Sequence, residues 1–212
     1  MTSAFAIFIE QYNMTGSEKA DGYSACAFTG LSEQEKEEVF RILETELPWS
    51  AEWLFFLDRD RAIAVAKEME AALRTQCRDS VHYLQKQLVK FTGDFIYQQH
   101  MVDGYATHPA SVRAAVISAV DVAPANRAQI DFFKQVLRTE RDERAVFRAG
   151  WHLLDKVNFP GDRPVNEKKY DDLLDDLRMN RAEVNLRVLE TIEAWERMGA
   201  AGRIHDAPDG SA

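Results

Sequence analysis

The sequence predicts an all-α protein whose successive helices pack antiparallel, and three observations carry that prediction. The 212 residues include 10 Gly and 6 Pro against 27 Ala, and Ala with Glu, Lys, Gln and Arg between apolar positions is the composition of helices. Apolar residues recur at three-and-four spacing along most of the chain, which gathers them on one face of a helix. Sustained apolar/polar alternation between turn dipeptides does not occur. The best strand candidate is Phe5-Ala6-Ile7-Phe8-Ile9, a run that equally opens a helix.

The clearest helix start is Ser32-Glu33-Gln34-Glu35. There the Ser hydroxyl caps an early N–H while Glu35, three positions on, reaches back to the Ser32 amide. Val39, Ile42, Leu43 and Leu47 follow at helical spacing, and Pro48 lacks the N–H that another turn needs. These signals place a helix at 32–47. Similar patterns predict helices at 60–75, 79–92, 109–122, 126–139, 142–157, 167–179 and 181–198. The joints are short and polar, as at Asp103-Gly104, Pro124-Ala125-Asn126 and Phe159-Pro160-Gly161-Asp162, so consecutive helices lie side by side. Residues 1–198 form a single helical domain on this basis. The stretch 199–212, ending Asp206-Ala207-Pro208-Asp209-Gly210-Ser211-Ala212, has no apolar period and is expected to be a disordered tail.

Phe132, Phe133, Val136 and Leu137 are expected in the core, as are Trp151 and Trp195 at apolar positions of regular helices. Trp49, Trp53 and Phe56, with Leu54, Phe55 and Leu57, form the most hydrophobic stretch. Their spacing assigns the aromatic stripe to the core; the alternative is an interface anchor, because Glu52 and Asp58-Arg59-Asp60-Arg61 flank it.

Composition narrows the function. With 46% hydrophobic and 29% charged residues the chain is of the soluble globular class. The net charge of -9 disfavours unspecific binding of nucleic acid or anionic lipid and suits a basic protein partner. The apolar run from Ala4 to Ile9 is too short for a membrane span and lacks the basic flank of a signal peptide. Cys26 and Cys77 stand alone, implying neither a disulfide framework nor a zinc site, so a reducing, cytoplasmic setting is expected. Phosphate-loop, zincin and nucleophile-elbow motifs do not occur, and no cofactor is called for. The histidines are His82, His100, His108, His152 and His205. Only His100 and His108, with Gln99 and Asp103 between or beside them, could cluster locally, on an apparent loop.

Internal spacing adds one further signal. Val81/Leu84/Leu88, Val112/Ala115/Ala119 and Val146/Ala149/Leu153 share one set of offsets, and their starts are separated by a helix-pair period. The stretches Ser111-Val112-Arg113-Ala114-Ala115-Val116-Ile117-Ser118-Ala119-Val120 and Asp142-Glu143-Arg144-Ala145-Val146-Phe147-Arg148-Ala149 resemble the second helix of HEAT-type repeats, over about residues 60–157. Val-Arg is intact only at Val112-Arg113. The resemblance implies a short HEAT-like solenoid; shared offsets on an irregular helical bundle are the alternative.

Asp171, Asp172, Asp175 and Asp176 fall on one side of a predicted helix, where four like charges repel. The cluster lacks the loop and turn glycine of an EF-hand, and it is either a solvated face or a surface for a basic partner. Residues 31–60 carry nine acids against three bases and 167–196 nine against five, whereas 110–156 carry six against eight. Negative charge is thus gathered toward the two ends, and Glu33, Glu37, Asp58 and Asp60 join the four aspartates as candidate partner-binding residues. In being small, acidic, helical and free of catalytic motifs the chain resembles the immunity proteins that block bacterial toxins. That resemblance implies a non-enzymatic inhibitor that neutralises a basic toxin or effector by covering its active surface. The alternatives are a helical metal-dependent hydrolase using the clustered aspartates and a scaffolding adaptor.

Overall fold

The computed structural model describes residues 1–16, 22–76, 80–159, 163–179 and 181–197. Among them are eleven α-helices and no strand, which establishes the all-α class. The tail at 199–212, His205 and Cys77 lie outside the described residues. The chain divides into two compact units, Met1–Phe91 and Thr92–Ala212.

The first unit holds α1 (Ser3–Asn13), α2 (Glu33–Thr45), α3 (Ala51–Leu57), α4 (Arg59–Thr75) and α5 (His82–Thr92), the last ending at the unit boundary. The strand candidate at residues 5–9 is helical. Thr2 Oγ1 caps the Phe5 N–H at 3.2 Å, and Ala4 and Phe8, one turn apart, are the buried pair. Burial of period four overrides the β-branched and aromatic composition of so short a run. The capping box at Ser32 forms as its sequence requires. Ser32 Oγ accepts the Glu35 N–H at 3.3 Å, and Glu35 accepts the Ser32 N–H at 2.9 Å. Glu35 also accepts the Thr2 N–H at 2.7 Å, so one carboxylate ties together the starts of α1 and α2. These backbone donors hold its carboxyl down at about 2. Asp58 caps α4 through the Arg61 N–H at 3.1 Å. Phe8, Phe40, Leu43, Leu54, Leu84 and Leu88 form the core of this unit.

The second unit holds α6 (Ile96–Gly104), a 3-10 turn (Tyr105–Thr107), α7 (Ala110–Val120), α8 (Arg127–Thr139), α9 (Glu143–Lys156), α10 (Arg163–Arg178) and α11 (Ala182–Arg197). Asn126 and Asp142 cap α8 and α9 through the Gln129 and Ala145 N–H groups, each at 2.9 Å. Helix α9 packs against α7, α8 and α10, and α11 packs against both α10 and α8. The helices from α8 to α11 therefore close a ring, the packing of a bundle. Phe132, Phe133, Val136 and Leu137 are buried as expected, while Trp151 and Trp195 are half-buried.

The offset repeat does not map onto one buried stripe. Val81/Leu84/Leu88 and Val146/Ala149/Leu153 are buried, but Ala115 is exposed and Val112 half-buried. Helix α7 instead buries Val116, Ile117, Ala119 and Val120, a face that its alanine-rich sequence leaves undefined because nearly every side of that helix is apolar.

Candidate functional site

The expected acidic residues occupy varied settings. On α10, Asp171, Asp172 and Asp175 are exposed and Asp176 is half-buried. Arg178 pairs with Asp175 at 2.5 Å, and Arg187 lies 4.0 Å from Asp176; among the described residues Asp171 and Asp172 make no ion pair. In the first unit Glu33 pairs with Lys36 at 2.6 Å. Glu37 takes a fork from Arg61 at 2.5 and 3.1 Å, whose guanidinium lowers the Glu37 carboxyl pKa and also rests on the Phe40 ring. Asp58 is spent on the α4 cap, and Asp60 is 3.3 Å from Arg59. Glu37 and Asp58 therefore have structural duties, while Glu33 and Asp60 are exposed surface charges. Among the described residues no three His, Cys, Asp or Glu side chains converge as a metal site.

The histidines do not cluster on a loop. His100 lies on α6, and His108 is buried just after the 3-10 turn. His82 is buried at the start of α5. His152 Nδ1 is 3.1 Å from Asp121, which Lys156 approaches at 3.3 Å. The imidazole stacks on Trp151 and Phe133, and Lys156 donates to the Asp121 and Ala123 carbonyls at 2.9 Å, satisfying the end of α7. This trio closes a helix end between packed rings.

A second buried network centres on Glu140, just beyond α8. It accepts the Tyr105 hydroxyl at 2.8 Å, the Arg113 guanidinium at 3.0 and 3.2 Å, and the Arg141 and Asp142 N–H groups at 2.7 and 3.0 Å. Burial pushes the Glu140 carboxyl up, but these donors together hold it below its ordinary value. Burial and the Glu140 carboxylate push the Tyr105 hydroxyl up, so it remains a donor.

The main correction concerns the aromatic stripe. Leu54 and Phe55 are buried, but Trp49 is 67% exposed and Phe56 55% exposed, with Trp53 half-buried between them. Helix α3 has seven residues, and almost every one is apolar. Such a helix can bury only one side, and the side it buries is Ala51, Leu54 and Phe55. The aromatic spacing is real, yet it marks the outward face.

That face borders a cleft of about 940 Å³ within the first unit, lined among others by Tyr23, Glu46, Trp49, Trp53 and Tyr83. The Trp49 and Tyr83 rings meet at 4.8 Å, tilted by 48°. Trp53 stacks on Phe28 at 4.8 Å, and Tyr23 meets Phe28 edge-on at 5.8 Å. The Tyr23 hydroxyl donates to Glu46 at 2.5 Å, and burial with that carboxylate raises its pKa. Sequence reasoning missed the cleft because Tyr23, Glu46 and Tyr83 come from separate segments; the one local signal was the density of aromatic residues at 49–56.

Comparison with protein-family models, curated proteins and solved structures finds no match. No described helix is long and apolar enough to cross a membrane.

Proposed function

We propose that this protein is a non-enzymatic, acidic helical binding protein of the immunity or inhibitor type, which captures a basic toxin or effector domain and covers its active surface. The observation that carries the reading is the exposure of Trp49, in the turn before α3, and of Phe56 on α3, within the most acidic stretch of the chain. Exposed aromatic side chains ringed by charge are the anatomy of an interface: the rings anchor in pockets of the partner, and the surrounding acids steer a basic surface toward them. Glu33 and Asp60, exposed in the same unit, supply steering charge. On α10, Asp171, Asp172, Asp175 and Asp176 form a second acidic face.

The test is affinity capture from the source organism, identification of the partner, and kinetics on the purified pair. Association is expected to slow as salt rises, because steering decays over a Debye length of about 8 Å at physiological ionic strength. Replacing the four α10 aspartates with Asn lowers the association rate several-fold without loss of fold, and Trp49→Ala with Phe56→Ala speeds dissociation. An association rate indifferent to salt, to the Asn variant and to Glu33→Gln with Asp60→Asn would refute the acidic-face reading. Co-expression should also suppress the partner's toxicity, and failure to do so removes the inhibitor role.

A further inference from the structure

We propose that the outward face of α9 binds a second copy of this chain, in a two-fold dimer that sets Arg144 and Arg148 of each copy against Asp171 and Asp172 of the other. On α9, Arg144, Phe147, Arg148 and Trp151 recur at three-and-four spacing, so they share one side of the helix. Arg144 is exposed and the other three are half-buried, whereas Val146, Ala149, Gly150 and Leu153 fill the side that packs inward. The Arg148 guanidinium lies over the Trp151 ring at 5.2 Å, and Arg178 reaches from α10 to sit over Phe147 at 5.1 Å. Trp151 is also parallel to the His152 ring within 11°. The face is thus a set of guanidinium groups resting on rings, and Arg and aromatic residues are the types enriched where proteins meet.

Charge complementarity names the guest. Arginines elsewhere pair with carboxylates, as Arg61 does with Glu37, Arg113 with Glu140 and Arg138 with Glu193. Among the described residues Arg144 and Arg148 make no ion pair, and as like charges four positions apart on one helix they repel each other. Helix α10, which packs against α9, carries the complement: Asp171 and Asp172 are exposed and make no ion pair among the described residues either. Uncompensated cations on one helix and uncompensated anions on its neighbour form a surface that is its own complement, which an isologous two-fold contact requires. At physiological salt the Debye length of about 8 Å screens the repulsion between two acidic chains and leaves close contacts to decide. The contact lies wholly within the second unit. It engages two aspartates that also belong to the acidic partner face, so a second copy and a basic partner compete for them. The dimer is tested with no partner present, and its failure leaves the partner reading standing.

The experiment is sedimentation equilibrium of the full chain at physiological salt, from micromolar to near-millimolar concentration, with circular dichroism to confirm that each variant is folded. A monomer–dimer equilibrium is expected. Arg144→Glu with Arg148→Glu, and separately Asp171→Lys with Asp172→Lys, should each weaken the dimer at least about tenfold, because opposite charges across the contact become like ones. The aspartate pair of substitutions takes the net charge from -9 to -5, so general repulsion between copies cannot account for its loss. Mixed in equal amounts, the two double variants should dimerise with each other at close to the wild-type affinity, since every contact again joins opposite charges. A chain that stays monomeric throughout overturns the proposal, as does a dimer that neither double variant weakens or a mixture that fails to associate. A monomeric chain that instead binds a poly-glutamate peptide or a single-stranded oligonucleotide through Arg144 and Arg148 overturns the second copy as the guest of this face.

Discussion

Substitution in α3 and in the turn before it separates the buried side of this segment from its exposed one. Leu54 is fully buried and Trp49 is 67% exposed. Leu54→Ala removes methyl groups from a packed interior and leaves a cavity, a change that costs about 3 kcal/mol and ranges over roughly 2–5. Trp49 keeps about a third of its surface covered. A fully buried Trp hides up to about 250 Å², so roughly 80 Å² is at stake, worth about 2 kcal/mol at 25 cal/mol/Å² as an upper bound. Ordering of the indole offsets part of that, and about 1 kcal/mol is expected for Trp49→Ala. Trp53, half-buried and stacked on Phe28 at 4.8 Å, falls between them at about 2 kcal/mol, below the 3–5 of a core Trp→Ala change. Urea unfolding followed by far-UV circular dichroism measures all three. For a unit of this size each kcal/mol moves the melting temperature by about 4–8 °C, so thermal scans should rank them identically. A Trp49→Ala cost equal to that of Leu54→Ala would show the indole to be packed, and the anchor reading would fall with it.

Three more expectations concern other elements. A Cβ on Gly150 would lie 2.2 Å from Leu177 Cδ1, so Gly150→Ala must move a buried Leu at the contact of α9 with α10. Overpacking of about 1–3 kcal/mol, less up to about 1 gained in helix propensity, leaves net destabilisation by urea titration; a stabilised variant would contradict the close approach. Glu140→Gln removes the charge that orders Arg113 and Tyr105 and should cost about 3 kcal/mol, because it leaves a partly buried guanidinium without its anion. A cost below about 1 kcal/mol would demote the network to decoration. Glu35 has a folded-state pKa of about 2 against an ordinary 4.5, so its contribution is complete above the higher value and fades as pH falls toward the lower. The stability gap between the wild type and Glu35→Gln should therefore be widest near neutrality and close on acidification, and a gap independent of pH would remove the charge from the explanation.

Local rules determined much of the fold. Ser32 and Glu35 cap α2 because a hydroxyl and a carboxylate three residues apart meet two open N–H groups in any setting. Asn126 and Asp142 each cap a helix start by accepting one N–H, those of Gln129 on α8 and Ala145 on α9. The spacing of Phe132, Phe133, Val136 and Leu137 named a buried face before any neighbour was known. The same rules fell silent where apolar residues surround a helix. Around α3 the choice between Leu54–Phe55 and Trp49–Phe56, and on α7 the choice between Ala115 and Val116, depends on which side another helix covers. The closed ring of α8 to α11 and the meeting of Tyr23, Glu46, Trp49 and Tyr83 likewise join residues far apart in the chain. Capping and periodicity act within a few residues and are written in the sequence. Which face is covered is decided by packing between distant segments, so the cleft existed only once the chain had folded.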